Sequence, residues 1–248
     1  MQFVAPYSVV PSEDLALNIH GDHLADLRAS GLSDETIKAA GVYSLRPCDI
    51  AHFFKRVVPA NIETALCFPY QRGEFGRIKL FPSLSKMKYA QPPGTGARLY
   101  IPFAVDDRPV IVTEGEKKTL AAYQAGLNAL GIGGVWSWLS HGEPIADLNQ
   151  TDWDGRDVTI IPDSDVFNRV DLLRAIYALG RELRALGADV LTAQISQTGA
   201  SKVGLDDFLV AGGDIQQLEV FSLNHRIFKS CEFWHSRWKF QKTLRAAA

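Results

Sequence analysis

Three acidic groups carry the chemistry this sequence offers. Glu114 follows directly on the β-branched run Val110-Ile-Val-Thr113, Asp163 and Asp165 follow on Val158-Thr-Ile-Ile-Pro162, and Asp206 and Asp207 stand in Gly204-Leu-Asp-Asp-Phe-Leu209. In an open parallel α/β sheet, polar groups just past the carboxyl ends of strands converge on one edge, where ligands bind. Glu114, Asp163 and Asp165 are therefore expected at a common rim, with Asp206 or Asp207 completing the cluster. Carboxylates crowded together repel unless a cation neutralises them, and an Asp-x-Asp pair lets both side chains reach one ion. Hard oxygen donors of this kind suit Mg²⁺ or Mn²⁺. The competing reading makes Glu114 and Asp163 helix N-caps. It fits either acid taken alone and fits three acidic groups in this order less well.

The elements that must position these acids follow from periodicity. From Asp106-Asp107 onward the pattern alternates: a strand at 110–113, a helix at 117–125 ended by Gly126, strands at 128–131 and 157–162, a helix at 169–186 and a strand at 189–195. The long helix carries Leu172, Leu173, Ile176, Leu179, Leu183 and Leu186 on one face and stops at Gly187. Such alternation predicts an α/β fold, a mostly parallel sheet flanked by helices. Upstream, a helix is predicted from Ser12 to Gly31, a second at 34–40 capped by Ser33 and closed by Gly41, and an antiparallel hairpin within 65–81 around Gly73 to Gly76. The expected division is a smaller α+β segment at 1–105, the α/β segment at 106–212 and a helical basic and aromatic tail at 213–248.

Charge adds a partner class. The net charge of -2 divides into 5 basic and 8 acidic residues over 1–70, 6 and 1 over 71–105, 9 and 18 over 106–222, and 6 and 1 over 223–248. Basic segments suit a polyanion, which the acidic segment would repel unless divalent cations screened its carboxylates, so metal-dependent chemistry on a nucleic acid is expected. Arg72, Arg77, Lys79, Lys86 and Lys88, interleaved with Phe75, Phe81 and Tyr89, suit phosphate contacts and base stacking along a single strand, or else form a solvated hairpin face. His20 and His23 beside Asp22 and Asp26 read as exposed helix surface rather than a metal site. Three scattered cysteines, Cys48, Cys67 and Cys231, exclude a disulfide scaffold and a zinc ribbon. No apolar run is long enough to span a membrane and no basic leader precedes an apolar core, so a cytoplasmic protein without a membrane partner is expected.

The order T-E-G-E-K-K-T-L, A-L-G-I-G-G, I-P-D-S-D and G-L-D-D-F-L resembles the toprim domain shared by bacterial-type DNA primases, topoisomerases and some nucleases. Upstream, GLSDETIKAAGVYSL and FPYQRGEFGRIKLFPSLSKMKYAQPPGTG are similar to the opening and the basic subdomain of the primase RNA-polymerase core, of a divergent phage or mobile-element kind. The resemblance implies a Rossmann-like toprim fold with a basic N-terminal subdomain. It implies Glu114, Asp163 and Asp165 as catalytic and metal-binding residues, with Asp206 or Asp207 as the third acidic motif. The chemistry implied is primase-like nucleotidyl transfer on single-stranded DNA, from nucleoside triphosphates and with Mg²⁺ or Mn²⁺. A toprim nuclease and a non-catalytic nucleic-acid-binding module are the alternatives. Primases usually have an acid where this chain has Lys118, which is expected to face the incoming triphosphate rather than pair with Glu114. Neither a zinc module nor a helicase motor motif occurs in these residues, so a helicase or another replication protein is an expected partner.

Overall fold

The structure, a computed structural model, describes residues 19–54, 61–70, 75–84, 87–197, 199 and 201–246, without the side chains of 54, 84, 87 and 239–246. Two compact units divide the chain: Met1–Gly96 with Tyr100–Ala104, and Ala97–Leu99 with Val105–Ala248.

In the first unit α1 (Gly21–Ala29) starts where the His20 side chain accepts the Asp22 N–H. The helix predicted from Ser12 thus begins later, and its first part lies outside the described residues. Ser33 caps α2 (Asp34–Ala39) by accepting the Thr36 N–H at 3.3 Å. There follow β1 (Tyr43–Leu45), α3 (Pro47–Phe54), β2 (Thr64–Pro69), β3 (Gly76–Leu84) and β4 (Met87–Ala90), and the strands form an antiparallel sheet in that order. Alternation along β3 sends Ile78 and Leu80 into a core with Leu45, Ile50, Phe53 and Ile62, and Arg77, Lys79 and Phe81 to the other face. Part of that other face is covered by α1. Lys79 reaches Asp26 at 2.5 Å, and the Phe81 ring lies 4.2 Å from that of His23. His23 is not exposed helix surface but fully buried, hydrogen-bonded to Ser44 Oγ at 2.8 Å and Thr64 Oγ1 at 2.9 Å. Burial first, then the charge of His20, pushes its pKa down to about 3, so it is a neutral core group. A two-residue strand, β5 (Leu99–Tyr100), comes next in sequence.

The second unit runs β6 (Val110–Glu114), α4 (Glu116–Gln124), β7 (Asn128–Ile132), β8 (Leu139–Ser140), β9 (Glu143–Pro144), α5 (Ala146–Gln150), β10 (Asp157–Ile161), α6 (Val170–Ala185), β11 (Asp189–Gln194), α7 (Leu205–Val210), β12 (Glu219–Ser222) and α8 (Lys229–Ala246). Its strands lie in the order β12-β11-β10-β6-β7. β7, β6, β10 and β11 are parallel, and β12 joins β11 antiparallel. The chain steps from β6 to β7 on one side and then returns past β6 to β10 on the other. The crevice at the carboxyl ends of β6 and β10 is therefore the topological switch point, the place where such sheets bind ligands. Residues 213–248 belong to this unit: α8 packs on α6, with Cys231 and His235 buried. All three cysteines are free thiols, and among the described residues no helix is long and apolar enough to cross a membrane.

Candidate functional site

Glu114 ends β6, and its neighbour Gly115 takes φ 94°, a backbone conformation L side chains rarely adopt, so the chain turns there from strand into helix α4. Thr113 Oγ1 donates to the Ile161 carbonyl at 3.0 Å and ties β6 to β10 where Glu114 and Asp163 emerge. Gly115 N–H donates to the Ile132 carbonyl at 2.7 Å on the other side. Glu114 is thus not the N-cap of α4, a place held by Gly115. Asp163 stands at the N-cap position of a 3-10 turn, Ser164–Asn168, but its side chain makes no capping bond. The N-cap reading therefore fails for both acids.

The Asp163 carboxylate is 1 % exposed and is held by two ammonium groups: Lys118 Nζ lies 2.8 Å from Oδ1 and Lys202 Nζ 2.6 Å from Oδ2. Lys118 comes from the first helical turn after Glu114, and its ammonium is paired with Asp163 rather than with Glu114. Lys202 is placed by a pair of hydrogen bonds between loops: Ser164 N–H donates to the Val203 carbonyl at 3.0 Å, and Val203 N–H donates to Ser164 Oγ at 2.8 Å. Sequence reasoning missed Lys202 and Ser164; the one signal was a lysine just ahead of the G-L-D-D motif. Burial first, then the Asp163 charge, raises the Glu114 carboxyl above its ordinary value, with Lys118 and Lys202 opposing. Burial works against the charged form of Lys202, but its hydrogen bond to Asp163 and the charges of Asp163, Glu114 and Asp165 outweigh it and hold the ammonium above its usual value.

The other predicted acids have separate fates. Asp165 is partly buried and lies 3.6 Å from Arg169. Asp207 is exposed and accepts the Gly204 N–H at 3.0 Å, so it closes the N-terminus of α7 and does not face the cluster. Asp206 is buried, and a Cβ on Gly204 would fall 2.4 Å from Lys118 Cε and 2.6 Å from Asp206 Oδ1. Gly204 thereby lets Lys118 and Asp206 pass close together. Among the described residues no three His, Cys, Asp or Glu side chains stand in metal-holding geometry. The donor chemistry suits Mg²⁺ or Mn²⁺, but as arranged the acids do not fit one, because both oxygens of Asp163 already face lysine.

Of the predicted nucleic-acid contacts, Arg72 and Lys86 lie outside the described residues. Arg77 is half-buried with its guanidinium 4.9 Å from the Tyr89 ring, and Lys88 is exposed with its ammonium 5.9 Å from the same ring. Lys79 is corrected: its side chain is 7 % exposed and paired with Asp26, so its charge serves the interior of the first unit and not a phosphate. Phe75 is likewise buried, stacked on Tyr70 at 4.8 Å.

A family described as a domain of unknown function (DUF3854) matches residues 103–216, which include Glu114, Asp163, Asp165, Asp206 and Asp207. No curated protein matches the chain. Among solved structures, the chain is similar to the DnaG catalytic core at 18% identity, covering 86% of this chain and 76% of that one with a TM-score of 0.55. It is similar to the RNA polymerase domain of Mycobacterium tuberculosis primase DnaG at 14% identity, covering 87% and 79% with a TM-score of 0.51. The primase fragment of the bacteriophage T7 primase-helicase protein matches at 13% identity over 75% and 70%, with a TM-score of 0.48. At these identities the two DnaG likenesses speak for the fold: the chain is a mixed α/β protein folded like a primase catalytic core.

Proposed function

We propose that this chain is a primase-type core of toprim kind that joins nucleotides on a single-stranded DNA template, with nucleoside triphosphates as substrates. The observation that carries the reading is the meeting of Glu114 and Asp163 at the switch point of a parallel sheet, in a fold similar to primase catalytic cores over most of the chain. Glu114, with its raised carboxyl, is suited to hold and release a proton at the rim, and Asp163 and Asp165 flank it. Arg77 and Lys88, set around Tyr89 on the basic sheet, are the template contacts this reading assigns. Mg²⁺ or Mn²⁺ is the cofactor it calls for, and a helicase or other replication protein the partner. One observation favours a second reading, a binding module without turnover: the pairing of Asp163 with Lys118 and Lys202.

The test is to incubate the chain with labelled nucleoside triphosphates, single-stranded DNA and Mn²⁺ and resolve the products on a denaturing gel. Extension products that vanish in Glu114→Gln support the primase reading. A shortened template in their place points to a nuclease, and unchanged DNA that is nonetheless bound points to the module.

A further inference from the structure

Helix α8 holds the body of its unit with one side and leaves the other to solvent. Cys231 and His235, one helical turn apart, are buried, and the Tyr177 ring of α6 lies 5.6 Å from that of Phe228 and 5.8 Å from that of His235. Phe233 and Arg237, also one turn apart, are exposed, Phe233 to 69 %. We propose that this outward side, with Arg174 of α6 and Trp136 after β7, is a platform on which the bases of single-stranded nucleic acid stack. The surface contains none of Glu114, Asp163 and Asp165 and needs no turnover at the rim.

Rings and cations alternate across it. Trp234 and Trp238 are stacked, with ring centroids 5.7 Å apart and planes 9° from parallel, and the exposed Trp136 meets Trp234 edge-on at 6.1 Å. The Arg174 guanidinium lies 5.6 Å from the Trp234 ring, and that of Arg237 lies 5.9 Å from the Phe233 ring. Among the described residues neither arginine has a carboxylate partner, and Arg174 Nε is buried without a hydrogen bond. Arg174, Phe233, Trp234, Arg237 and Trp238 line a depression of about 250 Å³, smaller than the pockets that enclose a drug-sized ligand. It can seat a flat ring and leave the rest of a chain outside.

Charge and ring geometry together choose the occupant. A single exposed aromatic ring needs no explanation, but a cluster of them does. Helix α8 carries five basic residues, Lys229, Arg237, Lys239, Lys242 and Arg245, against one acid, Glu232, and so favours a polyanion. An acidic peptide would answer the charge and leave the ring faces without a counterpart. Every nucleobase, in contrast, has a π-face that stacks on an aromatic ring whatever the sequence, while a guanidinium free of carboxylate meets the neighbouring phosphate. A duplex keeps its base faces against one another, which leaves a single strand.

Fluorescence anisotropy of labelled oligothymidylate with the intact chain tests this. Phe233→Ala, at an exposed position away from the core, should weaken binding on the order of 10-fold. Phe233→Trp should keep the parent's affinity, whereas Phe233→Leu, apolar but without a flat ring, should behave like the alanine variant. An oligomer of abasic sites of the same length offers phosphates and no bases, so it should bind the parent and Phe233→Ala alike. Arg237→Gln should weaken both oligomers and lower the slope of log affinity against log salt by about one. Oligothymidylate affinity unchanged in both Phe233→Ala and Trp136→Ala overturns the proposal. So does an equal loss with the abasic oligomer, or full affinity in Phe233→Leu, either of which marks a contact other than stacking. Self-association of the parent that Phe233→Ala abolishes while DNA affinity stays unchanged overturns it in favour of a second copy of this chain. Phe233-dependent binding by a chain that makes no primer defeats the primase reading alone. Primer synthesis by a chain whose Phe233 and Trp136 variants bind like the parent defeats the platform alone.

Discussion

Breaking the ion pair of Lys79 with Asp26 decides whether this lysine belongs to the interior or to a nucleic-acid surface. Its ammonium sits 2.5 Å from the Asp26 carboxylate, with side-chain exposures of 7% and 24% respectively. Asp26→Asn takes a counter-charge from a nearly buried cation, a loss of about 3 to 5 kcal/mol for a fully buried pair. Because Asp26 keeps some contact with water, the loss falls below that range, at about 2 to 3 kcal/mol. Lys79→Met removes the cation and keeps an apolar stem of similar length against Phe81; the remaining carboxylate is the more exposed of the two. That variant should lie within about 1 kcal/mol of the parent, as should the double variant, giving a coupling energy of about 2 kcal/mol. Urea unfolding of the four proteins measures these values. Single-stranded DNA binding at several salt concentrations should give Lys79→Met the parent's slope, whereas Lys88→Ala should flatten it. A stable Asp26→Asn together with a flattened salt slope in Lys79→Met would refute the assignment and return Lys79 to the binding surface.

Further outcomes follow from the same structure. Glu114 has a raised carboxyl, so between its ordinary value of 4.5 and its folded value the native state keeps a proton that the unfolded chain releases, and stability falls as pH rises through that window. Glu114→Gln should therefore raise the melting temperature at pH 7 and change it little near pH 4; a less stable variant at pH 7 would mean that the lysines depend on the Glu114 charge. His23 has the opposite sign: with a native value of about 3 against 6.5, its contribution is lost as pH falls from 6.5 towards 3, and His23→Gln should flatten that part of a melting-temperature profile. Gly204→Ala puts a methyl group 2.4 Å from Lys118 Cε and 2.6 Å from Asp206 Oδ1, so both side chains must shift, at a cost of about 1 to 3 kcal/mol in urea unfolding. A variant as stable as the parent would show that the two side chains give way freely.

The parallel sheet and the rim were legible because their determinants are local. A β-branched run followed by an acid places Glu114, and the same rule places Asp163. Lys202 was not legible, because its partner lies 39 residues away, across two loops joined by the bonds between Ser164 and Val203 and between Asn168 and Gln197. Alternation puts Arg77 and Lys79 on one face of β3, but nothing in the hairpin's own sequence says that α1 covers Lys79, where Asp26 meets it. Asp207 was open to a sharper reading: an acid three residues after Gly204 has the spacing of a capping box, which separates it from Asp206. The insertion between β7 and β10 carries no strong period, yet it buries Trp138 and Trp153. Its order comes from the tertiary contacts of large rings and not from local propensity.

The double hydrogen bond between Ser164 and Val203 also sets where this protein tolerates change. It acts as a clamp on the chain after β11, so the spacing between Lys202 and Asp163 is set at Ser164 and Val203 rather than at the strand end. A substitution at Ser164 is therefore tolerated only where the new side chain still accepts the Val203 N–H.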